Sequence, residues 1–403
     1  MNPHMTRLLL CAAVLSLVSS AASAQEPGTR AGEIARTQSE KAAALHPDRP
    51  HWIEKRLLQI ERAGGPGVAS GWLVTFGDIK SGSGLALGPA YGKLFNTGTL
   101  LHMKGAYSIR NFKMVQLSLH APPAAGGRLD VDGRVRWQDA PTLPFYPIGT
   151  DATKTRFDFS ESKAEISGRA LFRLAWFARV GGGVGYEDFD TTHVVPQDPV
   201  AAQRLQLLFV PGSGRDPAYV RSYVTGAIDS RDGPGYSRRG SLLQATWHDY
   251  RQQGGAGSLS FRRIDAAAEQ YVPILHGNWV LVAALRASTT DTASGSVVPF
   301  FLMPQLGGND LRGFSNYRFR DRHSLLFTAE YRWYVQEYVD MAVFYDAGKV
   351  APRRSDLDFS DLKTSVGAGI RFHGPRTTAM RFEIARSREG WRLIVGFSPA
   401  GGR

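Results

Sequence analysis

Cysteine and long hydrophobic runs are nearly absent from this sequence. Cys11 is the only cysteine among 403 residues. It lies in a leading stretch that we expect to be removed, so we expect neither disulfides nor thiolate chemistry in the mature chain. Although 43% of the residues are hydrophobic, no segment after residue 24 approaches the ~18 consecutive apolar residues that a membrane-spanning helix requires. The sequence therefore predicts no membrane helix.

The leading stretch has the pattern of a secretory signal peptide. Arg7 precedes an apolar run that extends to Val18, and the small residues 22–24 stand before a cleavage site at Gln25. This order of a basic residue, an apolar run and small residues is typical of an export signal. We therefore expect residues 1–24 to be a signal peptide that is removed.

Basic residues exceed acidic ones, and the formal net charge is +12 at pH 7. An exported chain does not meet nucleic acid, so we expect none as a partner. Anionic lipid headgroups or an acidic client fit this charge better. The histidines are too scattered to predict a metal site, and no motif predicts a cofactor.

Beyond residue 67 the sequence alternates apolar and polar side chains. In one example, Ser324, Thr328, Glu330 and Arg332 are interleaved with Leu325, Phe327, Ala329, Tyr331 and Trp333. Such a two-residue period is typical of a strand with one apolar face. A soluble sandwich also alternates, but it needs a second sheet to cover that face. Aromatic residues near the strand ends, as in interfacial girdles, favour a membrane barrel.

Sixteen stretches of this kind follow one another, an even number as in bacterial barrels. They are residues 69–79, 82–95, 98–110, 111–121, 128–139, 154–168, 173–187, 221–230, 238–251, 257–272, 277–290, 322–335, 338–347, 362–374, 377–386 and 390–398. We predict an all-β fold in which residues 67–403 form a transmembrane antiparallel barrel.

Two connections are too long for turns. The first, about 188–220, is interpreted as an outer cap with a short helical piece or as disorder.

Residues 25–66 differ in composition from the barrel region. They are rich in helix-forming residues, and several apolar side chains are spaced to share one helix face. These side chains are Trp52, Ile53, Leu57 and Ile60. We interpret the segment as partly helical, either as a periplasmic arm or as a plug in the barrel.

The second long connection, about 291–321, carries Arg312, Gly313 and Phe314. An arginine inside a barrel needs carboxylates around it because it cannot lose its charge. If Val343 and Tyr345 face lipid, alternation places the following side chains on the inner wall. They are Phe344, Asp346 and Gly348, joined on later strands by Gly367, Gly369 and Glu383. The glycines predict a groove for the loop backbone. We expect Arg312 to meet Asp346 or Glu383 there, with Gly313 permitting a tight turn.

Several motifs together resemble one family. They are "LPFYPIGTD" at 143–151, "AIDSRDGPGYSRRGSLLQ" at 227–244, "LRGF" at 311–314, "FYDAG" at 344–348 and "GAGIRF" at 367–372. In these motifs the chain resembles the BamA/TamA superfamily of outer-membrane assembly barrels, also called the bacterial surface antigen family. The second motif resembles the family's strand pair, here Asp229, Arg231 and Asp232 followed by Arg239 and Gly240.

The resemblance implies an integral protein of the bacterial outer membrane whose sixth outer loop folds into the lumen. It implies that Arg312 is clamped to Asp346 and that the first and last strands form a weak seam. An edge strand is a template for pairing with another chain. The implied function is insertion or translocation of protein or lipid at the outer membrane.

Residues 25–66 are too few for one of the family's periplasmic POTRA modules. We therefore expect a short, POTRA-less member that relies on a periplasmic partner for client docking. Outer-membrane lipids, including anionic lipopolysaccharide, are the other expected partners.

Two alternative functions are open to the same sequence. A passive pore for small solutes is one, and its charged lumen would favour anions. That expectation rests on Arg332, Lys363, Arg371, Arg381 and Arg392. A lipid hydrolase is the other, using His323-Ser324 or His248-Asp249. Neighbours along a strand point to opposite faces, and no Gly-x-Ser-x-Gly motif occurs, so we expect no enzymatic activity.

Overall fold

The computed structural model describes residues 34, 36–40, 70–206, 208–233, 235–255, 258–275, 278–374 and 378–397. Residues 34 and 36–40 are helical, and Arg36 and Glu40 form an ion pair at 3.0 Å on this helix. The predicted signal peptide lies outside the described residues, and so does the apolar helix face predicted between residues 52 and 60. No helix in the described part of the chain is long and apolar enough to cross a membrane.

In the described part of the chain, sixteen long antiparallel strands form one sheet, in which each pairs with its neighbours in sequence, and a two-residue strand, Val195–Pro196, also pairs with residues 157–158. They are β1 (Gly71–Gly77), β2 (Ala86–Leu94), β3 (Leu100–Ser108), β4 (Lys113–His120), β5 (Leu129–Phe145), β6 (Phe157–Ala175), β7 (Ala178–Thr191), β8 (Ala218–Asp229), β9 (Gly240–Gln253), β10 (Phe261–Ile274), β11 (Trp279–Asp291), β12 (His323–Gln336), β13 (Val339–Ala351), β14 (Lys363–His373), β15 (Thr378–Ser387) and β16 (Gly390–Phe397). The predicted sixteen-stranded antiparallel barrel is confirmed. The largest boundary difference is in β5 and β6, which extend as a long hairpin.

Side chains alternate between an exposed apolar face and a buried inner face. On β13, Val343 and Tyr345 are 43% and 40% exposed, whereas Phe344 and Asp346 between them are 5% and 0% exposed. The same alternation leaves Trp391, Leu393 and Val395 of β16 exposed. A barrel in lipid needs this outward apolar band, because hydrocarbon offers no hydrogen bonds to polar side chains.

The barrel is nearly closed, and its one seam lies between β1 and β16. Strand β1 pairs with β2 and strand β16 pairs with β15, but the described residues of β1 and β16 form no ladder with each other. Both edges are apolar on their outer side: Trp72 and Val74 of β1 are 77% and 75% exposed, and Leu393 of β16 is 70% exposed. Each edge therefore has unpaired backbone groups next to an apolar surface.

The connections at the two ends of the barrel differ in length. We call the end with the long connections 146–156, 192–217 and 292–322 the loop end, and the opposite end the turn end. Long connections are typically extracellular in outer-membrane barrels. The 192–217 connection contains helix α1 (Pro199–Leu205), so the predicted short helical piece is present; Asp198 caps it through a 2.7 Å hydrogen bond from Ala201 N. An aromatic cluster beneath the loop end packs Phe300 against Phe145 and Phe159.

Candidate functional site

The 292–322 connection, which we call the inner loop, folds into the barrel. Two short strands within it, Gln305–Leu306 and Phe319–Arg320, pair with each other and form a hairpin. Between them, Leu311, Arg312 and Phe314 are 0%, 2% and 1% exposed. A loop buried to this degree must satisfy its polar groups within the protein.

Arg312 is held by Asp346 of β13 through three hydrogen bonds. Its Nε donates to Asp346 Oδ2 at 2.8 Å and its Nη2 donates to Oδ1 at 2.7 Å, while its backbone N–H donates to Oδ2 at 3.3 Å. Thr328 Oγ1 of β12 donates to the same Oδ1 at 2.9 Å. This two-pronged geometry uses the guanidinium plane, which makes the contact specific for arginine.

Glu383 and Glu330 complete the carboxylate shell. Arg312 Nη1 lies 3.1 Å from Glu383 Oε1 and 3.2 Å from Glu330 Oε1. The sequence left Asp346 and Glu383 as alternatives, and the structure brings Arg312 to both. Arg371 of β14 joins the same two glutamates, at 2.7 Å from Glu330 Oε2 and 2.9 Å from Glu383 Oε1. The buried charges therefore form a network in which each carboxylate meets a cation, the arrangement that burial of charge requires.

The inner-wall glycines make room for the side chains around Arg312. A Cβ on Gly367 would lie 2.3 Å from the Phe344 ring, and one on Gly369 would lie 2.6 Å from Glu383 Cγ. Only Gly348 faces the inner loop, where its Cβ would lie 3.0 Å from Leu306 Cδ1. The expected groove for loop backbone is thus filled largely by Phe344 and Glu383, because these two side chains must fold over the strand to reach Arg312.

Gly313 and Phe314, which follow Arg312, anchor the loop next to the ion network. A Cβ on Gly313 would lie 2.5 Å from Ser365 Cβ and 2.8 Å from Ser387 Cβ. Ser387 Oγ donates to the Gly313 carbonyl oxygen at 2.7 Å. Phe314 packs edge-on against Phe319 with ring centroids 5.1 Å apart. Gly313 is required here for close approach, since no side chain fits between the loop and β14–β15.

A domain model of the Omp85 superfamily matches residues 94–391. The chain belongs to the Omp85 superfamily. The solved structure of BamA from Haemophilus ducreyi lacking POTRA domains 1-3 is similar in fold, with 16% sequence identity, a TM-score of 0.58, and coverage of 81% of this chain and 70% of that chain. CdiB from Acinetobacter baumannii is 10% identical, with a TM-score of 0.48 and coverage of 81% of this chain and 58% of that chain. No curated protein sequence matches the chain.

This Omp85 barrel is therefore an integral outer-membrane protein of the assembly and translocation type. Among the described residues, no three His, Cys, Asp or Glu side chains come together in a way that would hold a metal ion.

Two further buried arginines of the inner loop were not predicted. Arg318 Nε donates to Glu389 at 3.0 Å and its Nη2 donates to the Ala152 carbonyl oxygen at 2.8 Å. Arg320 donates to the carbonyl oxygens of Phe300 and Pro144 at 3.2 and 3.3 Å, and forms no ion pair with a described carboxylate. Burial lowers the pKa of the Arg320 guanidinium to about 10, so it stays charged at neutral pH. Arginine occurs at every second position from 318 to 322. This alternation could have indicated that arginines of the loop share one face.

The strand-pair motif builds the connection between β8 and β9 at the turn end. Asp229 accepts from Arg231 Nε at 2.8 Å, and Arg231 reaches Glu269 at 3.1 Å. Asp232 Oδ1 accepts from the backbone N–H of Arg239 at 3.3 Å, and the Asp232 N–H donates to the Arg239 carbonyl oxygen at 3.2 Å. Gly240 has φ +100°, which a residue with a side chain rarely adopts. These residues therefore shape a turn and do not join the Arg312 site.

Tyr236 in this turn contacts strands β13 and β14 across the barrel, and the sequence did not predict this contact. Its hydroxyl donates to Asp340 of β13, and its ring stacks on His373 of β14 with centroids 3.7 Å apart. The Gly235 carbonyl oxygen accepts from Thr378 N of β15 at 3.3 Å. The β8–β9 turn thus closes part of the lumen at the turn end.

The five cations expected to favour anions in a pore are engaged within the protein. Arg332 lies 3.0 Å from Glu330, Lys363 lies 2.6 Å from Asp151, and Arg381 lies 3.7 Å from Glu383. Arg371 belongs to the Arg312 network, and Arg392 Nη2 donates to Asn316 Oδ1 at 3.2 Å. These cations do not form an uncompensated ring around an open channel.

Proposed function

We propose that this Omp85 barrel inserts or translocates protein or lipid through the β1–β16 seam, and that the inner loop controls how far the seam opens. An open strand edge pairs with an incoming strand and satisfies its backbone hydrogen bonds as it enters lipid. The apolar outer side of both edges then continues the hydrophobic surface of the barrel.

One observation carries the proposal: the inner loop bonds to both sides of the seam. Asn316 accepts from Arg392 of β16 at 3.2 Å, and the next residue, Tyr317, donates its hydroxyl to the Ser81 carbonyl oxygen in the β1–β2 connection at 3.0 Å. Burial raises the pKa of Tyr317, which keeps the hydroxyl protonated as a donor. Two adjacent loop residues therefore link the edges that form no ladder with each other.

The ion network gives these links a fixed support. Arg312 fastens the loop to β13 and β15, and Arg318 fastens it to Glu389 between β15 and β16. We infer that Arg312 acts as a loop lock: it sets the loop position from which Asn316 and Tyr317 reach the seam. The occupied lumen favours the seam over a passive pore as the route of transport.

We propose that a separate periplasmic partner docks clients, and that outer-membrane lipids including lipopolysaccharide surround the barrel and are candidate cargo. Depletion of the protein, followed by quantification of outer-membrane proteins and lipopolysaccharide, tests the function. We expect at least one of these components to fall in abundance and to recover when the wild-type chain is restored. Unchanged amounts of every component would rule the proposal out.

A further inference from the structure

The inner wall formed by β3, β4 and β5 carries more basic than acidic side chains, and its Asp132 already pairs with His120 and Arg169. On β3, Met103 and Tyr107 are 48% and 58% exposed, so alternation turns His102 and Lys104 toward the lumen. On β5, Val135 and Trp137 are 48% and 42% exposed, which turns Arg134 and Arg136 inward. This wall lies apart from the strands that bind the inner loop through Arg312.

Strand register aligns these four side chains in two neighbouring rows. Lys104 pairs with Gln116 of β4, which pairs with Arg136 of β5. One step toward the turn end, His102 pairs with Ser118, which pairs with Arg134. Directly opposed residues lie about 5 Å apart. The rows therefore hold basic side chains at both sides and neutral hydrogen-bonding residues in the middle.

No carboxylate on strands β1–β4 neutralises this wall, because those four strands contain neither Asp nor Glu. The nearest acid in register is Glu165 of β6, opposite Arg136. Glu165 already accepts from Arg134 at 2.6 Å and lies 3.3 Å from Lys163. Glu187 is likewise shared by Lys163 at 3.0 Å and Arg221 at 2.6 Å. The available carboxylates are thus outnumbered by the cations around them.

Lys104 and Arg136 are left with unused hydrogen-bond donors. Among the described residues, no ion pair joins either side chain to a carboxylate. Arg136 Nη2 donates to Gln138 Oε1 and, at 3.5 Å, to the Ile79 carbonyl oxygen, while its buried Nε has no hydrogen-bond partner. Arg312 differs, since three carboxylates surround it. A buried guanidinium donor without a partner costs free energy that a bound acceptor recovers.

We propose that Lys104 and Arg136, supported by Arg134, His102 and Gln116, form a lumenal binding site for a phosphate-type anion. Such a group presents several acceptor oxygens. They can accept two parallel hydrogen bonds from an arginine guanidinium and another from a neighbouring lysine ammonium group. Phosphate occurs free and on lipid headgroups, and the side chains recognise the chemistry common to both. The proposal does not rest on transport through the seam, and none of these five side chains contacts Arg312.

Calorimetric titration of the full chain in nonionic detergent with inorganic phosphate tests the site, with sodium chloride holding ionic strength constant. We expect the wild-type chain to bind phosphate and Lys104→Gln to bind it about tenfold more weakly, since one charge-assisted hydrogen bond is lost. The double change Lys104→Gln with Arg136→Gln should abolish binding. Lys154→Gln removes the same charge from the exposed loop end and should bind like the wild type.

Folding is checked separately by heat-modified gel mobility, and Lys104→Gln removes no ion pair or hydrogen bond that the structure records within the protein. Nonionic micelles containing phosphatidic acid distinguish the two sources of phosphate. Loss of the free-phosphate signal in these micelles assigns the site to lipid headgroups, and an unchanged signal assigns it to free phosphate. No binding to the wild type from either source, or equal binding to the wild type and the double variant, would overturn the proposal.

Discussion

The guanidinium of Arg312 stacks on the ring of Phe344, with its central carbon 3.4 Å from the ring centroid. The ring covers one face of the guanidinium. Asp346, two residues further along the same strand, accepts hydrogen bonds from the Nε and Nη2 groups at its edge. A stacked plane with two parallel hydrogen bonds selects arginine over lysine by shape as well as charge. The ring stacking and the two parallel hydrogen bonds together form the basis of the loop lock.

Replacing Arg312 with alanine should destabilise the barrel by about 3–5 kcal/mol, because buried carboxylates lose their cation. Asp346, Glu330 and Glu383 all contact Arg312. The urea midpoint for loss of the compact, heat-modifiable gel band measures the change. Arg312→Lys keeps the charge but loses the fork and the stack, so its midpoint should lie between those of the wild type and Arg312→Ala.

Arg156→Ala is the matched control, because its ion pair with Asp158 at 2.9 Å leaves the arginine side chain 46% exposed. We expect its effect to be below about 1 kcal/mol. If Arg312→Ala unfolds at the same urea concentration as this control, Arg312 is not a structural lock.

Gly367→Ala should weaken the same site without removing a charge. The added Cβ would lie 2.3 Å from the Phe344 ring and 2.4 Å from the Ile384 carbonyl oxygen. Overpacking of this kind costs about 1–3 kcal/mol. Gly226→Ala on β8 is the control, since a Cβ there meets nothing within 4 Å. Urea unfolding should separate the two variants, and identical midpoints would show that both the Phe344 ring and the Ile384 carbonyl group move aside without cost.

Tyr317→Phe should loosen the link between the inner loop and the β1–β2 connection. It removes one hydroxyl hydrogen bond, worth about 0.5–1.5 kcal/mol, to the Ser81 carbonyl oxygen. We expect a lower thermal midpoint of the heat-modifiable band. Tyr107→Phe, whose exposed hydroxyl donates to Asn111 at 2.8 Å, should leave the midpoint unchanged. An equal shift in both variants would argue against a special role for Tyr317.

Tyr236→Phe should release the β8–β9 turn from the lumen. The hydroxyl donates to buried Asp340, whose ion pair with His373 at 3.5 Å remains in the variant. Leaving a buried carboxylate less satisfied costs about 1–3 kcal/mol. Limited proteolysis of the turn at Arg238 or Arg239 should become faster than in the wild type. Unchanged cleavage would mean that the hydroxyl is not needed to hold the turn, and that the ring stack and the backbone hydrogen bond from Thr378 are sufficient.

The fold was predictable because alternation repeats. Any single stretch of alternating residues is a weak signal, but each of the sixteen predicted stretches covers most of a different strand or a large part of it. The same parity placed Phe344 and Asp346 on the inner wall, where the structure has them. Lipid imposes one rule on every strand, and the sequence follows it with few exceptions.

Contacts that depend on register or on a loop path were not predictable. Glu330 reaches Arg312 because β12 pairs with β13 so that Glu330 lies opposite Phe344. Alternation gives the face of a strand but not its alignment with its neighbour. Arg318 and Tyr236 meet partners more than seventy residues away, through paths that no local pattern encodes. Loop backbone was predicted to fill the groove at the inner-wall glycines, but the side chains of Phe344 and Glu383 fill most of it. Alternation does not indicate how far a side chain folds over its own strand.

A disulfide across the seam tests the account most directly. In a Cys11→Ser background, Val74→Cys on β1 is combined with Leu393→Cys or Val395→Cys on β16, all exposed on the outer face. Proteoliposomes containing each pair receive an unfolded eight-stranded outer-membrane barrel as client, and its folding is followed by heat-modified mobility. Val74→Cys alone is the control. We predict that oxidation of a linked pair stops client folding and that reduction restores it. Equal client folding by the linked and reduced forms would contradict transport through the seam.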